Sequence, residues 1–384
     1  MLFKEVLDFN KAREIVYSYL NKYVKSSNIK LIDGLNKIAY EDVKAPINLP
    51  YFNRSAMDGY AVRAEDVSGA SQTNPIILNL VERDYIDEGE AKKVHTGDKL
   101  PEGANAVVMK EYCNEYNNFL EVYKSVHPNE NVSKIGEDVK KGDTILKKGE
   151  KISPYHLAIL SSLGIKNIKV YDLKIGVIST GAELVSLEEG IKNNKIINSN
   201  YYLLYGLLKN LGFDVVDYGI VKDNLDNIKE TLKKANEEVD IIFTTGGTSV
   251  GDRDLTVKAV KELGDVILHG VNIRPGKPFA FGVIDKPIFM LSGYPVAAAV
   301  QFELFFYRYF AQRKKIMLEL SHPIPSQLGR VDFVRVKIVK NKVLPVRITG
   351  SGVISSLIKS DGYIIVDENI EGYEKGEKVE VYLF

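Results

Sequence analysis

The chain has 384 residues, of which 45% are hydrophobic and 27% are charged, a composition typical of a globular protein with two to four domains. Lysine plus arginine equal aspartate plus glutamate at 51 each, which disfavours nucleic-acid binding, because such binding relies on clustered cations. The single cysteine, Cys113, excludes an internal disulfide and a thiolate metal cluster. We see no signal-like or membrane-spanning apolar segment, and together with the single cysteine this predicts a cytoplasmic protein.

The N-terminal third combines helical and β-like patterns. Residues 10–24 carry apolar side chains at helical spacing, and Pro154 opens a second predicted helix at residues 153–163. Between them, residues 48–149 alternate short β-like runs with Gly, Asn, Pro and Asp. Long helical periodicity is missing there, so we predict a separate β-rich domain.

The middle third alternates strands and helices, and Gly212 and Gly264 stand where two helices would end. This order predicts a doubly wound, mainly parallel α/β domain, whose ligands bind beyond the carboxyl ends of the strands. After Pro323 the pattern returns to β, which predicts a small C-terminal β domain. The predicted strands of the middle third are residues 175–178, 215–220, 241–243, 266–271, 279–284 and 288–291, and the predicted helices are residues 199–211, 224–238, 254–263 and 294–312.

Three loops that follow predicted strands carry the clearest ligand-binding signal. Glycines let the backbone approach a ligand and turn its N–H groups towards it, and a helix that begins at the third loop adds its positive end. Each loop by itself could be an ordinary tight turn, but three on one sheet edge favour binding of a phosphorylated small molecule. The predicted substrate-binding residues of these loops are Thr180, Gly181, Gly246, Gly247, Thr248, Ser249, Asp252, Gly293 and Pro295.

The segment Arg274-Pro275-Gly276-Lys277-Pro278 lies between two predicted strands. A type II turn centred on its Pro-Gly pair explains the prolines and the glycine. The two flanking cations suit a phosphate or another oxyanion, because a rigid turn would hold both charges towards one ligand. We therefore predict substrate contacts from this turn.

The acidic positions have weaker individual signals. Asp58 before Gly59 and Asp138 after Gly136 are explained by ordinary turns, and Asp254 is explained by capping of the next helix. The sequence has no His-x-x-x-His pair, no convincing Ser-His-Asp spacing, no Walker A sequence and no Gly-x-Gly-x-x-Gly. Carboxylates beside phosphate-binding loops point to a hard cation such as Mg²⁺ rather than to zinc.

Several short segments spread along essentially the whole chain form a recognisable series. They are residues 55–62, 96–97, 101–108, 136–138, 179–184, 198–200, 245–254, 274–278 and 293–296. This series resembles the motifs of the molybdopterin molybdenumtransferases, the family of MoeA and the gephyrin E domain. Two positions depart from many members: Arg274 replaces lysine and keeps the charge, whereas Tyr294 replaces asparagine and is expected to alter pterin or oxyanion contacts.

The resemblance implies a transferase of molybdenum cofactor biosynthesis, which inserts molybdate or tungstate into adenylylated molybdopterin and releases AMP. It also implies a homodimer whose subunits share the active cleft, with the molybdopterin adenylyltransferase as a candidate partner. The expected cofactor is Mg²⁺, from the carboxylates beside the phosphate-binding loops. The implied domains are residues 1–47 with 145–172 for dimerisation, 48–144 as a β-rich insertion, 173–318 for molybdopterin binding, and 319–384 as a β-barrel-like domain. The implied catalytic residues are Asp58, Thr96, Asp138, Glu183, Asp254 and Lys277, and the implied metal ligands are Asp58, Asp138, Glu183 and Asp254.

Two other functions stay open at this point. An adenylyltransferase acting on molybdopterin is suggested by the central domain, which that enzyme also resembles, but it leaves the β-rich and C-terminal regions unexplained. A non-enzymatic scaffold is suggested by the gephyrin E domain, which also anchors other proteins. The acidic and basic residues in the loops disfavour a purely structural role.

Overall fold

The structure, a computed structural model, describes residues 6–191, 194–247, 254–346 and 352–384. It divides into two units, one formed by Asp42–Lys147 with Pro154–Lys166 and the other by the rest of the chain. Within the described ranges, no helix is both long and apolar enough to span a membrane.

The unit Asp42–Lys147 with Pro154–Lys166 is built on a six-stranded sheet. Its strands are short because glycine, asparagine and proline interrupt each apolar run, and their inward positions pack into one core around Tyr60, Val108 and Leu120. In sheet order the strands are Ala106–Met109, Gly59–Val62, Glu90–Val94, Ile76–Leu80, Phe119–Val122 and Cys113–Tyr116.

Short ladders and helices complete this unit. Arg54–Ser55 pairs with Val132–Ser133, and Val43–Lys44 pairs with Thr144–Leu146. The α-helix Pro154–Ser162 begins at the predicted proline. Two 3₁₀ turns are also present, at Ala64–Val67 and Lys110–Tyr112.

The second unit begins with the helix Phe9–Tyr23, a 3₁₀ turn at Leu31–Gly34 and an antiparallel ladder of Ser26–Lys30 with Asn167–Tyr171. Its central sheet has four neighbouring parallel strands and two further strands at one edge that are joined by antiparallel pairing, of which only Ala280–Val283 runs against the other five. The mainly parallel sheet that the sequence predicts is thus confirmed. In sheet order its strands are Asp214–Val221, Lys174–Thr180, Ile241–Thr245, Pro287–Leu291, Ala280–Val283 and Asp265–His269.

Apolar residues cover both faces of this sheet, because helices pack against each face and bury it. One core is rich in phenylalanine and includes Phe243, Phe289 and Phe306, and the other contains Ile242 and Met290. The helices of this domain are Ser199–Asn210, Leu225–Glu238, Leu255–Leu263 and Pro295–Phe302, and a two-residue parallel ladder joins Leu184–Val185 to Ile196–Ile197.

The predicted helix at residues 294–312 is not α-helical throughout. The α-helix Pro295–Phe302 passes into a π-helical segment, Glu303–Tyr307, and ends with Arg308–Phe310. The local sequence has neither Gly nor an internal Pro to signal this change. Glu303, in the π segment, accepts hydrogen bonds from Arg313 and from the Tyr363 hydroxyl at 2.7 Å, contacts that no local pattern reveals.

The C-terminal region forms a closed β-barrel, which confirms the barrel-like domain. The strand Val331–Val339 pairs with Lys342–Pro345 on one side and with Gly362–Val366 on the other, so the ring has no free edge there. The ring strands are Val331–Val339, Lys342–Pro345, Lys315–Leu320, Lys378–Leu383 and Gly362–Val366; Ile324–Pro325 pairs with Gly372–Tyr373, and a short helix spans Ser355–Ile358.

Candidate active site

Three glycine-containing loops lie together at the carboxyl edge of the central sheet. They follow neighbouring strands that run parallel, so the strand ends meet at one edge. The Gly246 N–H donates to the Leu291 carbonyl at 3.2 Å, and Asn200 Nδ2 donates to the Gly293 carbonyl at 2.8 Å. The sheet therefore brings the three predicted loops to one place.

Gly246 and Gly247 allow this close approach because they have no side chain. Their φ angles are +89° and +65°, in the left-handed region. A Cβ on Gly246 would stand 2.2 Å from the Thr180 carbonyl oxygen, and a Cβ on Gly247 would stand 2.4 Å from Thr256 Oγ1. Any larger residue at either position would push this loop away from its neighbours.

The first loop brings a threonine and a glutamate to the same edge. Thr180 is buried, and its hydroxyl donates to the Thr245 carbonyl at 3.2 Å, which ties the first loop to the second. The Glu183 side chain folds back over Gly181, since a Cβ on that glycine would stand 2.7 Å from Glu183 Oε1. Glu183 is exposed, so its carboxylate is accessible to a ligand.

Asp254 combines a capping role with a buried carboxylate oxygen. Its Oδ1 accepts from the Val257 N–H at 3.2 Å and caps the helix Leu255–Leu263. Its Oδ2 is buried and accepts no hydrogen bond from the described residues, although His269 Nε2 lies 3.4 Å away. Burial raises the pKa of Asp254 to about 7. The site around Oδ2 therefore favours a proton or a cation.

The turn that carries Arg274 and Lys277 reaches the same edge. It begins after His269 and ends before Ala280, two residues that are paired at the same end of neighbouring strands. Gly276 has a φ of +115°, as the glycine of the predicted turn requires. Arg274 and Lys277 are both exposed, so their cationic ends are accessible to a ligand.

A cavity of about 1040 Å³ adjoins this turn. Its lining includes Ser292 and Tyr294, which flank Gly293 of the third loop, and apolar side chains such as Phe333 from the barrel. Cavities of this size hold small molecules, and cations in the wall favour an anionic one. The four cations in the lining are Arg274, Lys277, Arg330 and Arg335.

The buried carboxylate of Asp332 holds two of these cations. Asp332 is 1% exposed and accepts hydrogen bonds from Arg274, from Arg330 Nε at 2.9 Å and from Ser326 Oγ at 2.9 Å. Arg274 and Asp332 are also opposite each other in the parallel pairing of the two-residue strand Ile273–Arg274 with the barrel strand Val331–Val339. The Arg274 turn and the barrel therefore build one wall of the cavity together.

Arg335 lies deeper in this wall than Arg274. Arg335 is buried, whereas Arg274 is exposed. Burial lowers the pKa of the Arg335 guanidinium, because desolvation disfavours the charged form. A cation in such a position favours an anion in contact with it.

In the other unit, Asp58 and Thr96 are in direct contact. The Thr96 N–H and hydroxyl donate to Asp58 Oδ1 at 2.8 and 3.2 Å. These two hydrogen bonds lower the pKa of Asp58, and the positive charge of Lys110 adds to the effect. Asp58 is therefore an exposed, ionised carboxylate that Thr96 holds in place.

Asp138 lies on an exposed turn of the same unit. Its N–H donates to the Leu49 carbonyl at 3.1 Å, and the Gly136 N–H donates to the Pro50 carbonyl at 3.0 Å. These bonds fix the backbone of the turn and leave the Asp138 carboxylate exposed.

The remaining predicted residues fall into two groups. Pro295 begins the helix Pro295–Phe302 as predicted, with Tyr294 at the N-cap position. Thr248, Ser249 and Asp252 lie outside the described residues.

The four predicted metal ligands belong to different units. Asp58 and Asp138 are in one unit, and Glu183 and Asp254 are in the other. Across the described ranges, no group of three or more His, Cys, Asp or Glu side chains could hold a metal ion. The buried Oδ2 of Asp254 does fit a hard cation, because Mg²⁺ is commonly held by one or two carboxylates together with water and substrate phosphates.

Local sequence patterns do not single out four further residues at this edge. Asp223 Oδ2 accepts from the Ala182 N–H of the first loop at 2.8 Å, and His269 lies beside the carboxylate of Asp254. Asp332 and Arg335 sit on a barrel strand with ordinary alternation. Their placement depends on pairing between distant segments, so no local signal could have identified them.

Known family models match three consecutive parts of the chain. The model described as "MoeA N-terminal region (domain I and II)" matches residues 7–164. The model described as "Probable molybdopterin binding domain" matches residues 176–312, and "MoeA C-terminal region (domain IV)" matches residues 318–384. The matches therefore extend on both sides of the central domain.

Similar proteins cover the chain from end to end. A candidate molybdopterin biosynthesis protein of Methanocaldococcus jannaschii is 63% identical, with 100% of this chain and 99% of that protein covered. The molybdopterin molybdenumtransferase of Haemophilus influenzae is 33% identical, with 99% of each covered. The crystal structure of a molybdopterin biosynthesis MoeA protein of Pyrococcus horikoshii is 33% identical with a TM-score of 0.80, and covers 99% of this chain and 100% of that one.

Proposed function

The chain belongs to the MoeA family, whose members include proteins named molybdopterin molybdenumtransferase, and on that basis we propose that it has this transferase activity. It inserts molybdate or tungstate into adenylylated molybdopterin and releases AMP. The observation that carries the proposal is a cavity lined by four cations, whose wall also includes Ser292 and Tyr294 on either side of Gly293 in the third glycine loop. This arrangement suits two anionic reactants held close together.

Electrostatics explains why the cavity needs several cations. The pyrophosphate of the substrate and the oxyanion repel each other: two unit charges ~4 Å apart repel by about 1 kcal/mol in water and about 4 kcal/mol at an effective dielectric of 20. We assign the glycine loops, with the first turn of the helix Pro295–Phe302, to the phosphate groups. Arg274, Lys277 and Arg335 hold the oxyanion, and Asp332 keeps Arg274 in place.

Asp254 is the residue that we assign to Mg²⁺. Its Oδ1 caps a helix, so Oδ2 is the oxygen left for a cation. The remaining ligands would be phosphate oxygens of the substrate and water, with Glu183, Asp58 and Asp138 as the other candidate protein ligands. A bound Mg²⁺ would polarise the pyrophosphate bond that is broken.

An assay of the released product separates this proposal from the adenylyltransferase alternative. With adenylylated molybdopterin and molybdate, the transferase releases AMP, whereas an adenylyltransferase given molybdopterin and ATP releases pyrophosphate. The family matches outside the central domain also disfavour the alternative. We expect AMP release that requires the oxyanion. Release of pyrophosphate instead of AMP would assign the adenylyltransferase reaction. If neither product is released, the scaffold function is the one that remains.

We further propose that the protein is a homodimer whose subunits share each active site, as the family resemblance implies. Asp58 and Asp138 would then act together with the Asp254 region of the other subunit. Asp58→Ala and Asp254→Ala are each expected to be inactive, and a mixture of the two is expected to regain up to about a quarter of wild-type AMP release, because random exchange produces one intact site in half of the dimers.

The exchange itself needs an independent measurement. Differently tagged subunits that co-purify after mixing establish it. Mixing each variant with itself serves as the control for refolding effects. Confirmed exchange without any recovery of activity would contradict a site shared between subunits.

A cytoplasmic location and a direct transfer of substrate from the molybdopterin adenylyltransferase complete the proposal. The location rests on a chain with one cysteine, since disulfides are rare in that compartment. Direct transfer is favoured chemically because the adenylylated substrate is the product of that reaction class. A co-purified complex of the two proteins would support it.

A further inference from the structure

Gln301 connects two of the loops that surround the cavity. Its Oε1 accepts from the Ser292 N–H at 2.8 Å, and its Nε2 donates to the Gly276 carbonyl at 2.7 Å. Ser292 precedes Gly293 of the third glycine loop, and Gly276 lies between Arg274 and Lys277. One side-chain amide thus joins the third loop to the cationic turn.

This amide is completely enclosed. Gln301 is 0% exposed, on the second turn of the helix Pro295–Phe302. Buried polar groups need partners, and both ends of the amide have one from backbone. A Cβ on Gly276 would stand 3.0 Å from Gln301 Cγ, so the turn packs directly on this side chain. This contact therefore fixes both the distance and the orientation of the Gly276 turn relative to the Gln301 side chain.

The connection continues to the beginning of the helix. Ser292 Oγ accepts from the Tyr294 N–H at 3.2 Å, and Tyr294 is the N-cap residue. Ser292, Tyr294, Gly276 and the two cations of the turn all line the cavity. Gln301 lies beneath these elements and contacts the backbone of the turn and of the loop.

We propose that Gln301 is a positioning residue, which sets the spacing between the cationic turn and the third glycine loop and so determines the affinity of the cavity for the oxyanion. This inference rests on the proposed function. Gln301 acts through the backbone of other residues and is not itself assigned to the substrate. Its loss should therefore weaken oxyanion binding, an effect that the loss of a buried amide far from the cavity should not have.

Gln301→Met tests this because methionine has a similar length but neither donates nor accepts a strong hydrogen bond. The matched control is Asn236→Leu. Asn236 is also a buried amide that holds a turn of the same domain, since its Oδ1 accepts from the Asp285 and Lys286 N–H groups at 3.1 and 2.9 Å. That turn precedes the strand Pro287–Leu291, at the opposite edge of the sheet from the cavity.

The measurements are the thermal midpoint, the affinity for sodium molybdate by calorimetry, and kcat and KM for molybdate in AMP release. Both variants should lower the midpoint. Only Gln301→Met should weaken molybdate affinity and raise its KM, by about 10-fold, which corresponds to about 1.4 kcal/mol. Its kcat should change less than its KM, because the reacting groups themselves are retained.

The positioning role would be overturned if Gln301→Met and Asn236→Leu had equal molybdate affinities at similar thermal midpoints. It would also be overturned if the wild type did not bind molybdate. Failure of the proposed function has a different signature. In that case the wild type binds molybdate but releases no AMP. The calorimetric comparison of the two variants then still decides the role of Gln301.

Discussion

Asp254→Asn is expected to fold at least as stably as the wild type while AMP release falls by at least about 10-fold, or about 1.4 kcal/mol in the barrier. Asparagine caps a helix about as well as aspartate, so the bond from the Val257 N–H to Oδ1 is kept. The charge on the buried Oδ2 is lost, and with it the assigned contact to Mg²⁺. Raising the Mg²⁺ concentration should recover part of the rate.

The same substitution has a pH-dependent effect on stability with a definite sign. The pKa of Asp254 is raised to about 7 in the folded state by burial, so between roughly pH 4 and pH 7 the folded protein binds more protons than the unfolded chain. The wild type therefore loses stability from this group as the pH rises through that window. Asparagine does not titrate. The free energy of unfolding of Asp254→Asn, relative to that of the wild type, should therefore rise by on the order of 1 to 3 kcal/mol between pH 5 and pH 8.

Two measurements check these expectations. Denaturant unfolding of both proteins at pH 5 and pH 8 gives the difference in stability, and AMP release gives the rate. Wild-type turnover by Asp254→Asn would remove Asp254 from the site and leave it as a helix cap only. A stability difference that does not change with pH would contradict the raised pKa.

Lys277→Met is expected to lower kcat/KM for the oxyanion by about 100-fold, equivalent to about 2.7 kcal/mol, within the range for loss of a hydrogen bond to a charged group. Lys277 is exposed in the turn that lines the cavity, so its replacement should change stability by less than about 0.5 kcal/mol. Lys277→Arg should recover part of the loss, because it restores the charge with a different geometry.

The matched control for this variant is Lys261→Met. Lys261 is an exposed lysine in the last turn of the helix Leu255–Leu263, away from the cavity lining. It changes the net charge by the same amount, so it measures the effect of overall charge on an anionic substrate. Equal losses in the two variants would show that Lys277 has no specific contact with the oxyanion.

The central sheet follows closely from its sequence because its signals are local. The predicted strand at residues 288–291 appears as Pro287–Leu291, and the predicted helix at residues 224–238 appears as Leu225–Glu238. Glycine, proline and capping residues mark the ends of these elements, so each boundary depends on a few neighbouring residues. The capping by Asp254 was predictable for the same reason.

The cavity wall could not be predicted in this way. Asp332 reaches Arg274 because a barrel strand pairs with a two-residue strand of the turn, a register between segments 58 residues apart in the chain. Glutamine is an ordinary residue in a helix, so the sequence around Gln301 does not indicate a special role. Its role follows from the hydrogen bonds that it makes to two loops in the folded protein. Motif resemblance identified Arg274 and Lys277, but it could not identify the residues that hold them.

Release of AMP should be coupled to insertion of the metal into the pterin. This coupling is tested most directly by measuring both in one reaction of wild-type protein with adenylylated molybdopterin and molybdate. AMP is quantified by chromatography, and molybdenum in the isolated pterin product by mass spectrometry. We predict one molybdenum atom in the pterin for each AMP released, and no AMP without the oxyanion. AMP release at the same rate without molybdate, or with metal-free pterin as product, would contradict the account.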